Sequence, residues 1–470
     1  MASHAYKQWC QMVGLDVKPH QVKGFSWCLE QENAEENKGG IICDEMGLGK
    51  TILMLACVVM NPKERTLIVV PPALLNQWAG CIEKFLGHTP YVYHGGVAKT
   101  ATLESLKEQP IVLTTYGMIA IRKKPLNYKS LLWGPNVMWD RLICDEAHHM
   151  RNIKTGMCKG AFKLLASIRW MVTGTPIQNK KADLRVLFAL TGIVANSEKQ
   201  FHQAIRSKIL RRTKEGVGIK MPPLQTEVVE VEWESKVEKN LAASIHNSLP
   251  VFGVHVTREN VNELMQFMDY ESPLPLFVRA RQVCIHPQLL VKVINTMKRE
   301  NIVPASFTMK KIPTASKINA VVSKIQSEPK DARKIVFCHY RGEIDALKEA
   351  LENLNYSVGV YDGRASKAQK DSLCQNDENA PDVLIAQIKS ASEGLNLQHF
   401  SQIYFTSPHW NPAVEDQAVA RAHRIGQQCG VKVFRFVMKE FGDGERTIDN
   451  FCMDIQKTKR ELMQLIESAQ

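Results

Sequence analysis

Residues 41–60 constrain this chain more than any others. A short apolar run, Ile-Ile-Cys, is followed by Asp-Glu-Met-Gly-Leu-Gly-Lys-Thr and then by the uninterrupted apolar stretch 52–60. An apolar run too short for a helix, a loop with two glycines and a segment of helical character specify a strand, a turn and a helix. In that order, loop N–H groups and the first helical turn converge on one point and favour an anion there. Gly47 and Gly49 let the backbone approach phosphate oxygens, Lys50 can reach the β- and γ-phosphates, and the Thr51 hydroxyl is placed for Mg²⁺. One position departs from the generic GxxxxGKS/T loop: Asp44 stands where the first glycine is usual. The ATP-binding candidates in this loop are Asp44, Glu45, Met46, Gly47, Leu48, Gly49, Lys50 and Thr51.

Further strands are expected in LIVVPP (67–72) and PIVLTTY (110–116). A fourth, in residues 141–144, delivers Asp145 and Glu146 at its carboxyl end, where open α/β sheets place their ligands. Adjacent carboxylates suit nucleoside triphosphate hydrolysis, with Asp145 holding Mg²⁺ and Glu146 polarising the attacking water. A fifth strand ends in Thr173-Gly174-Thr175-Pro176, whose hydroxyls and glycine could sense a γ-phosphate beside the metal. Later, RKIVFCHY, YSVGVYDG and DVLIAQI again alternate with helical segments, without a second phosphate loop. Strands alternating with helices imply parallel sheets, so the fold class is α/β with two tandem sheet units. We expect a first, ATP-binding lobe over 1–220, a helical connection or brace over 221–315, and a second lobe over 316–470. Inside the connection, TEVVEVEW has strand-like alternation and VRARQVCIHPQLL reads as a helix stopped at Pro287. The basic run 208–214, KILRRTK, is consistent with either a solvated face or a phosphate contact.

The 470 residues carry 60 Lys plus Arg against 48 Asp plus Glu, a formal net charge of +12. A basic surface gains from releasing counterions condensed on a polyanion, but it also suits an ordinary soluble enzyme. With 44% hydrophobic and 23% charged residues the chain has material for real cores, which excludes collagen-like, disordered and disulfide-stapled classes. The 52–60 run is far shorter than the ~20 residues of a membrane span, and no secretory signal is evident at the amino terminus. Twelve scattered cysteines without a CxxC pair read as free thiols of a reducing compartment, not as a zinc site.

Taken in order, these motifs resemble the SNF-type ATPases, the translocase branch of the superfamily-two helicases. LDVKPHQVKGFSWCLEQ resembles the family's opening motif, in which Gln21 would read adenine. DEMGLGKT is the loop form typical of this branch, and VVPPALLNQWAGCIEKF, DEAH at 145–148 and TGTPIQN at 173–179 follow in the family's order. SASEGLNLQ at 390–398 departs mildly, with Ser390 and Ser392 in place of smaller residues. SPHWNPAVEDQAVARAHRIGQ carries WNP and then Gln417, Arg421 and Arg424 in QxxxRxxR spacing, which on one helix would project from one face. The resemblance implies two RecA-like lobes, with Arg421 and Arg424 as arginine fingers that reach ATP when the lobes close, and Gly394 and Gln417 as further ATP contacts. Contacts to DNA would come from Asn76, Gln77, Thr114, Thr115, Ser390 and Asn396, mostly to phosphates. Trp410 is expected to be structural more than stacking.

The implied activity is a DNA-dependent ATPase using ATP and Mg²⁺, a motor moving along double-stranded DNA and displacing or remodelling bound protein. Its expected partners are duplex DNA without sequence preference and DNA-bound proteins or transcription and repair machinery. It is expected to work as a monomer, stripped of accessory domains, off membranes, in the nucleus or another DNA-containing compartment, or in a viral factory or virion. Two rivals stay open: a strand-separating helicase, and a nucleotide-gated DNA-binding scaffold that barely turns over.

Overall fold

Short β-branched runs that are apolar on both faces are stable when helices cover both sides of a parallel sheet. A computed structural model describes residues 2–122, 130–176, 181–249, 256–257, 260, 274–308, 315–375, 380–391, 397–442 and 444–467. The chain divides into two compact units, Met1–Lys220 with Leu462–Gln470, and Met221–Glu461. The first unit holds β1 (Gly39–Ile42), β2 (Thr66–Val70), β3 (Tyr91–Tyr93), β4 (Ile111–Thr115), β5 (Met138–Asp145), β6 (Leu165–Val172) and β7 (Ile209–Leu210). Among the described residues these make one sheet in the order β3-β4-β2-β5-β6-β1-β7, parallel throughout. The five strands expected from sequence are present. The very short β3 and β7 were not expected, because two or three residues cannot display a period.

The pleat sorts the side chains. Ile68, Val70 and Ile143 join one core with Leu53 and Met54 of α3 (Lys50–Met60) and Trp78 and Ile82 of α4 (Leu75–Leu86). Their neighbours Leu67, Val69, Leu142 and Cys144 join the opposite core with Leu187 and Phe188. The helices α1 (Ala2–Met12) and α2 (Pro19–Glu32) add Tyr6 and Phe25 to the first of these cores.

The second unit contains β8 (Leu224–Val231), β9 (Lys334–Cys338), β10 (Val358–Tyr361), β11 (Val383–Gln387), β12 (Gln402–Phe405) and β13 (Val431–Met438). These form a second parallel sheet, β10-β11-β9-β12-β13-β8. The described residues of the segment 221–315, expected as a helical connection or brace, pack within this unit. Its strand β8 pairs with β13 from Leu224 opposite Val431 to Val231 opposite Met438. The helices Lys236–Asn247 and Leu274–Ile285 bury Leu241, Ile245, Phe277 and Val283 in the same core as Val336, Phe434 and Phe436. Among the described residues no helix is long and apolar enough to cross a membrane.

One buried charge pair ties the first unit together. Arg141 of β5 donates Nε–H and a terminal N–H to Glu32 at 2.7 and 2.6 Å, and both side chains are fully buried. Trp170 Nε1–H and Asn61 Nδ2–H donate to the same carboxylate at 2.8 and 2.7 Å, so its lone pairs are well used. Arg141→Met should therefore lower unfolding stability by ~3–5 kcal/mol in urea titration, because it strands a buried carboxylate. Adding Glu32→Gln to that variant should recover part of the loss.

Candidate nucleotide site

Strand register builds this site. Ile42 of β1, Val172 of β6 and Asp145 of β5 lie level across three adjacent parallel strands. The loop after β1, the Thr-Gly-Thr turn after β6 and the carboxylate pair ending β5 therefore emerge side by side at the sheet's carboxyl edge. In the loop Gly47 and Gly49 have φ of +91° and +84°, the left-handed region that glycine enters without strain. Gly49 is also needed for space, since a Cβ there would lie 2.1 Å from Gln21 Nε2. Lys50 opens α3 and donates its ammonium to the Asp44 and Glu45 carbonyls at 2.8 and 3.5 Å. Thr51 follows in the first turn of the helix.

Gln21 packs against this loop: its Nε2–H donates to the Leu48 carbonyl at 3.3 Å while its Oε1 accepts from the Tyr6 hydroxyl at 3.1 Å. Met46 stands beside the turn after β6, with its Cγ 3.2 Å from where a Cβ on Gly174 would lie.

Asp145 is held on several sides. Trp78 Nε1–H donates to Oδ2 at 2.7 Å, the Glu146 N–H to Oδ1 at 3.0 Å, and the Tyr116 hydroxyl to the main-chain carbonyl at 2.6 Å. Burial first and the Glu146 charge second push its pKa up to about 6, against the Trp78 hydrogen bond. Glu146 adopts a left-handed φ of +52°. Its carboxylate lies 3.3 Å from His148 Nδ1, which is in turn 3.1 Å from the Thr173 hydroxyl. That hydroxyl accepts the Thr175 N–H at 3.2 Å. The DEAH and TGT segments are thus joined by a polar chain through His148. Two neighbouring buried carboxylates, with the Asp145 pKa raised by burial, are a donor set that a divalent cation would relieve, and this fits a Mg²⁺ held by Asp145 and Thr51.

The basic run 208–214 is more than a solvated face. It forms β7, and Arg212 and Lys214 then turn their charges on the loop. Arg212 Nε–H donates to Asp44 Oδ1 at 3.0 Å and a second guanidinium N–H meets Oδ2, while Lys214 donates its backbone N–H to Glu45 Oε2 at 2.7 Å. Trp78 and Tyr116 were likewise invisible as site residues, since an aromatic on an apolar stretch carries no local mark of the carboxylate it will meet.

In the second unit, α5 (Pro412–Ala422) carries Gln417 and Arg421 four residues apart on one helix, with Gln417 buried. Arg424 does not continue that face. The helix ends at Ala422, and the Arg424 N–H turns back to the Ala422 carbonyl at 3.0 Å. Asn411 caps the helix by accepting the Ala413 N–H at 3.2 Å, and Glu415 is fully buried under His409 N–H, Arg435 Nε–H and Gln456 Nε2–H at 2.7, 2.7 and 2.6 Å. Trp410 is structural: the Arg281 guanidinium lies 3.8 Å from its ring centroid and Phe277 packs edge-on at 6.0 Å.

Of the DNA-contact candidates, Asn76 and Gln77 are exposed at the start of α4. Thr114 and Thr115 are buried, and their hydroxyls are engaged inside the unit with the Tyr93 carbonyl at 2.8 Å and His94 Nδ1 at 3.3 Å. Both hydroxyls are thus engaged at a strand end within the unit, which departs from their expected role. Ser390 is half-buried, with its hydroxyl 3.3 Å from Gln387 Oε1. Gly394 and Asn396 lie outside the described residues.

Residues 20–198 match the model of the SNF2-related domain and residues 316–426 that of the helicase conserved C-terminal domain. The chain belongs to the SNF2-related, helicase-like ATPases. This SNF2-related chain is 26% identical over 450 residues to the "probable global transactivator" of Orgyia pseudotsugata multicapsid polyhedrosis virus, covering 91% of this chain and 87% of the relative. It is 23% identical to the DNA repair protein RAD5B of Arabidopsis thaliana, covering 91% of this chain and 45% of that one. It is 26% identical to the ISWI chromatin-remodeling complex ATPase ISW1 of Saccharomyces cerevisiae, with 90% and 39% covered. The chain spans most of the viral relative and less than half of the other two.

Because folding raises the Asp145 pKa, the folded state holds its proton more tightly, and stability falls as pH rises from the ordinary Asp range through about 6. In EDTA and without nucleotide, Asp145→Asn should melt higher than the parent at about pH 7.5, with the difference shrinking toward about pH 5. Thermal melts across that range check it.

Proposed function

We propose that this chain is an ATP-driven motor on duplex DNA, which couples hydrolysis to movement along the helix and to displacing or remodelling bound protein. The observation that carries the reading is the level register of β1, β6 and β5, which gathers the phosphate loop, the Thr-Gly-Thr turn and Asp145-Glu146 in one place. Lys50 and the loop N–H groups, with Gln21, would bind ATP, and Thr51 with Asp145 would hold Mg²⁺. The ion would supply positive charge for the phosphates. Glu146 is the proposed base for the attacking water. Arg421 and Arg424 would offset charge that develops on the transferring phosphoryl group, with Gln417 and Gly394 as further nucleotide contacts.

Repair and chromatin-remodelling relatives support DNA as the substrate, as does the formal net charge of +12. Asn76, Gln77, Ser390 and Asn396 are the proposed DNA contacts, mostly to phosphates, so affinity should fall steeply with salt and little with sequence. A DNA-containing compartment, nuclear or viral, follows from the same substrate.

ATPase rates without nucleic acid and with single-stranded DNA, duplex DNA or RNA test the reading: duplex DNA should stimulate most. A triplex-displacement assay beside a strand-separation assay should then give triplex release without duplex opening, and the reverse outcome would make the chain a helicase. Glu146→Gln should keep nucleotide binding and lose ~100-fold or more in turnover. Arg424→Ala should depress kcat far more than nucleotide affinity, as expected for a group acting mainly in the transition state.

A further inference from the structure

We infer that Arg212 is a positioning residue for the phosphate loop and that Arg212 and Lys214 together form a charge clamp which makes the loop's two carboxylates compatible with a bound triphosphate. The inference rests on the reading that this loop holds ATP. Asp44 and Glu45 precede the glycines, so two negative charges stand where an anion is to enter. Unpaired, they would oppose it at short range. Each is met by one cation. Arg212 forks onto both oxygens of the fully buried Asp44 carboxylate, and Lys214 Nζ lies 3.1 Å from Glu45 Oε1.

The clamp also fixes geometry. A bidentate fork sets the plane of the carboxylate as well as its charge, and the main-chain carbonyl of the same Asp44 accepts the Lys50 ammonium at 2.8 Å. A further Arg212 N–H donates to the His20 carbonyl. His20 Nε2 and Gln21 Nε2 in turn reach the Leu48 carbonyl at 3.4 and 3.3 Å. One guanidinium thus joins the exit of β7, the start of the helix Pro19–Glu32 and the phosphate loop. The backbone follows the same path, since the Cys43 N–H donates to the Leu210 carbonyl at 2.7 Å and the Glu45 N–H to the Arg212 carbonyl at 2.9 Å.

Gly24 gives an independent sign that the guanidinium's place is specified. It sits in the interior of the helix Pro19–Glu32, where glycine is less favourable than alanine. A Cβ there would lie 2.6 and 2.8 Å from the two terminal nitrogens of Arg212. The clamp lies just before Met221, where the chain passes into the second unit.

The test titrates a fluorescent ADP analogue into the full chain and measures kcat and KM for ATP. Arg212→Met should weaken analogue binding by about tenfold or more while kcat at saturating ATP stays within about threefold, since an unpaired buried carboxylate remains beside the phosphates. Adding Asp44→Asn should restore binding to at least about threefold tighter than the single variant, because the stranded charge is gone. Gly24→Ala should weaken binding in the same direction by crowding the guanidinium. Arg212→Lys, which keeps the charge without the fork, should fall between Arg212→Met and the parent. Parental affinity in a folded Arg212→Met, or a double variant no tighter than the single one, would overturn the clamp. If Arg212→Met does not fold, Arg212→Lys and Gly24→Ala decide the matter on the same criterion. A parent chain that binds no adenine nucleotide would instead remove the ATP reading itself, and the clamp with it.

Discussion

The parallel register of β1, β6 and β5 is the constraint on which the first unit depends. With Ile42, Val172 and Asp145 level, three short polar segments distant in sequence emerge together. A slip of one residue would exchange every side chain between the two cores, moving Leu142 to the face of Ile143. The apolar pleat thus sets the position of the polar edge. The Arg141–Glu32 pair anchors that arrangement away from the carboxyl edge, where Arg141 opens the apolar part of β5.

Charge burial follows from this geometry. The carboxyl edge concentrates Asp44, Glu45, Asp145 and Glu146 within one unit, where Asp44, Asp145 and Glu146 are buried and Glu45 is partly exposed. Each carboxylate meets its own partner. Asp44 is matched by Arg212, Glu45 by Lys214, and Glu146 faces His148. Asp145 is held by the neutral donors Trp78 N–H and Glu146 N–H, and its raised pKa records that these compensate it only in part. That residual cost is the feature expected of a group whose full partner is a cation brought in from solution.

The second unit uses similar physics on a different task. Ahead of α5, the loop through His409 and Trp410 is fastened by Arg281 over the indole, by Lys459 on the Trp410 carbonyl at 3.0 Å, and by Gln456 on the His409 carbonyl at 2.6 Å. Buried Glu415 collects three donors in the first turn of the helix. Such a buried polar network fixes one orientation of the helix that carries Gln417 and Arg421. The segment 221–315 supplies Arg281 and β8, so it belongs to this unit's architecture and is more than a spacer.

Local sequence order was enough for the α/β class, the five main strands of the first sheet, the glycine loop and the carboxylate pair. Each is written within a few consecutive residues, as an apolar run, a turn residue or an adjacent pair of charges. Tertiary structure alone decided which partners those groups meet. Arg212 reaches Asp44 and Trp78 reaches Asp145 across long sequence separations, and no local pattern encodes such a pairing. The burial of Thr114 and Thr115 and the end of α5 before Arg424 were decided in the same way. Hydroxyls at a strand end look alike whether they face solvent or a neighbouring strand, and an arginine spacing fits a helix whether or not the helix continues. The sequence determined the chemical inventory and its order along the chain; the packing of sheet against helix determined where each charge is neutralised, because desolvation acts only once distant segments are brought together.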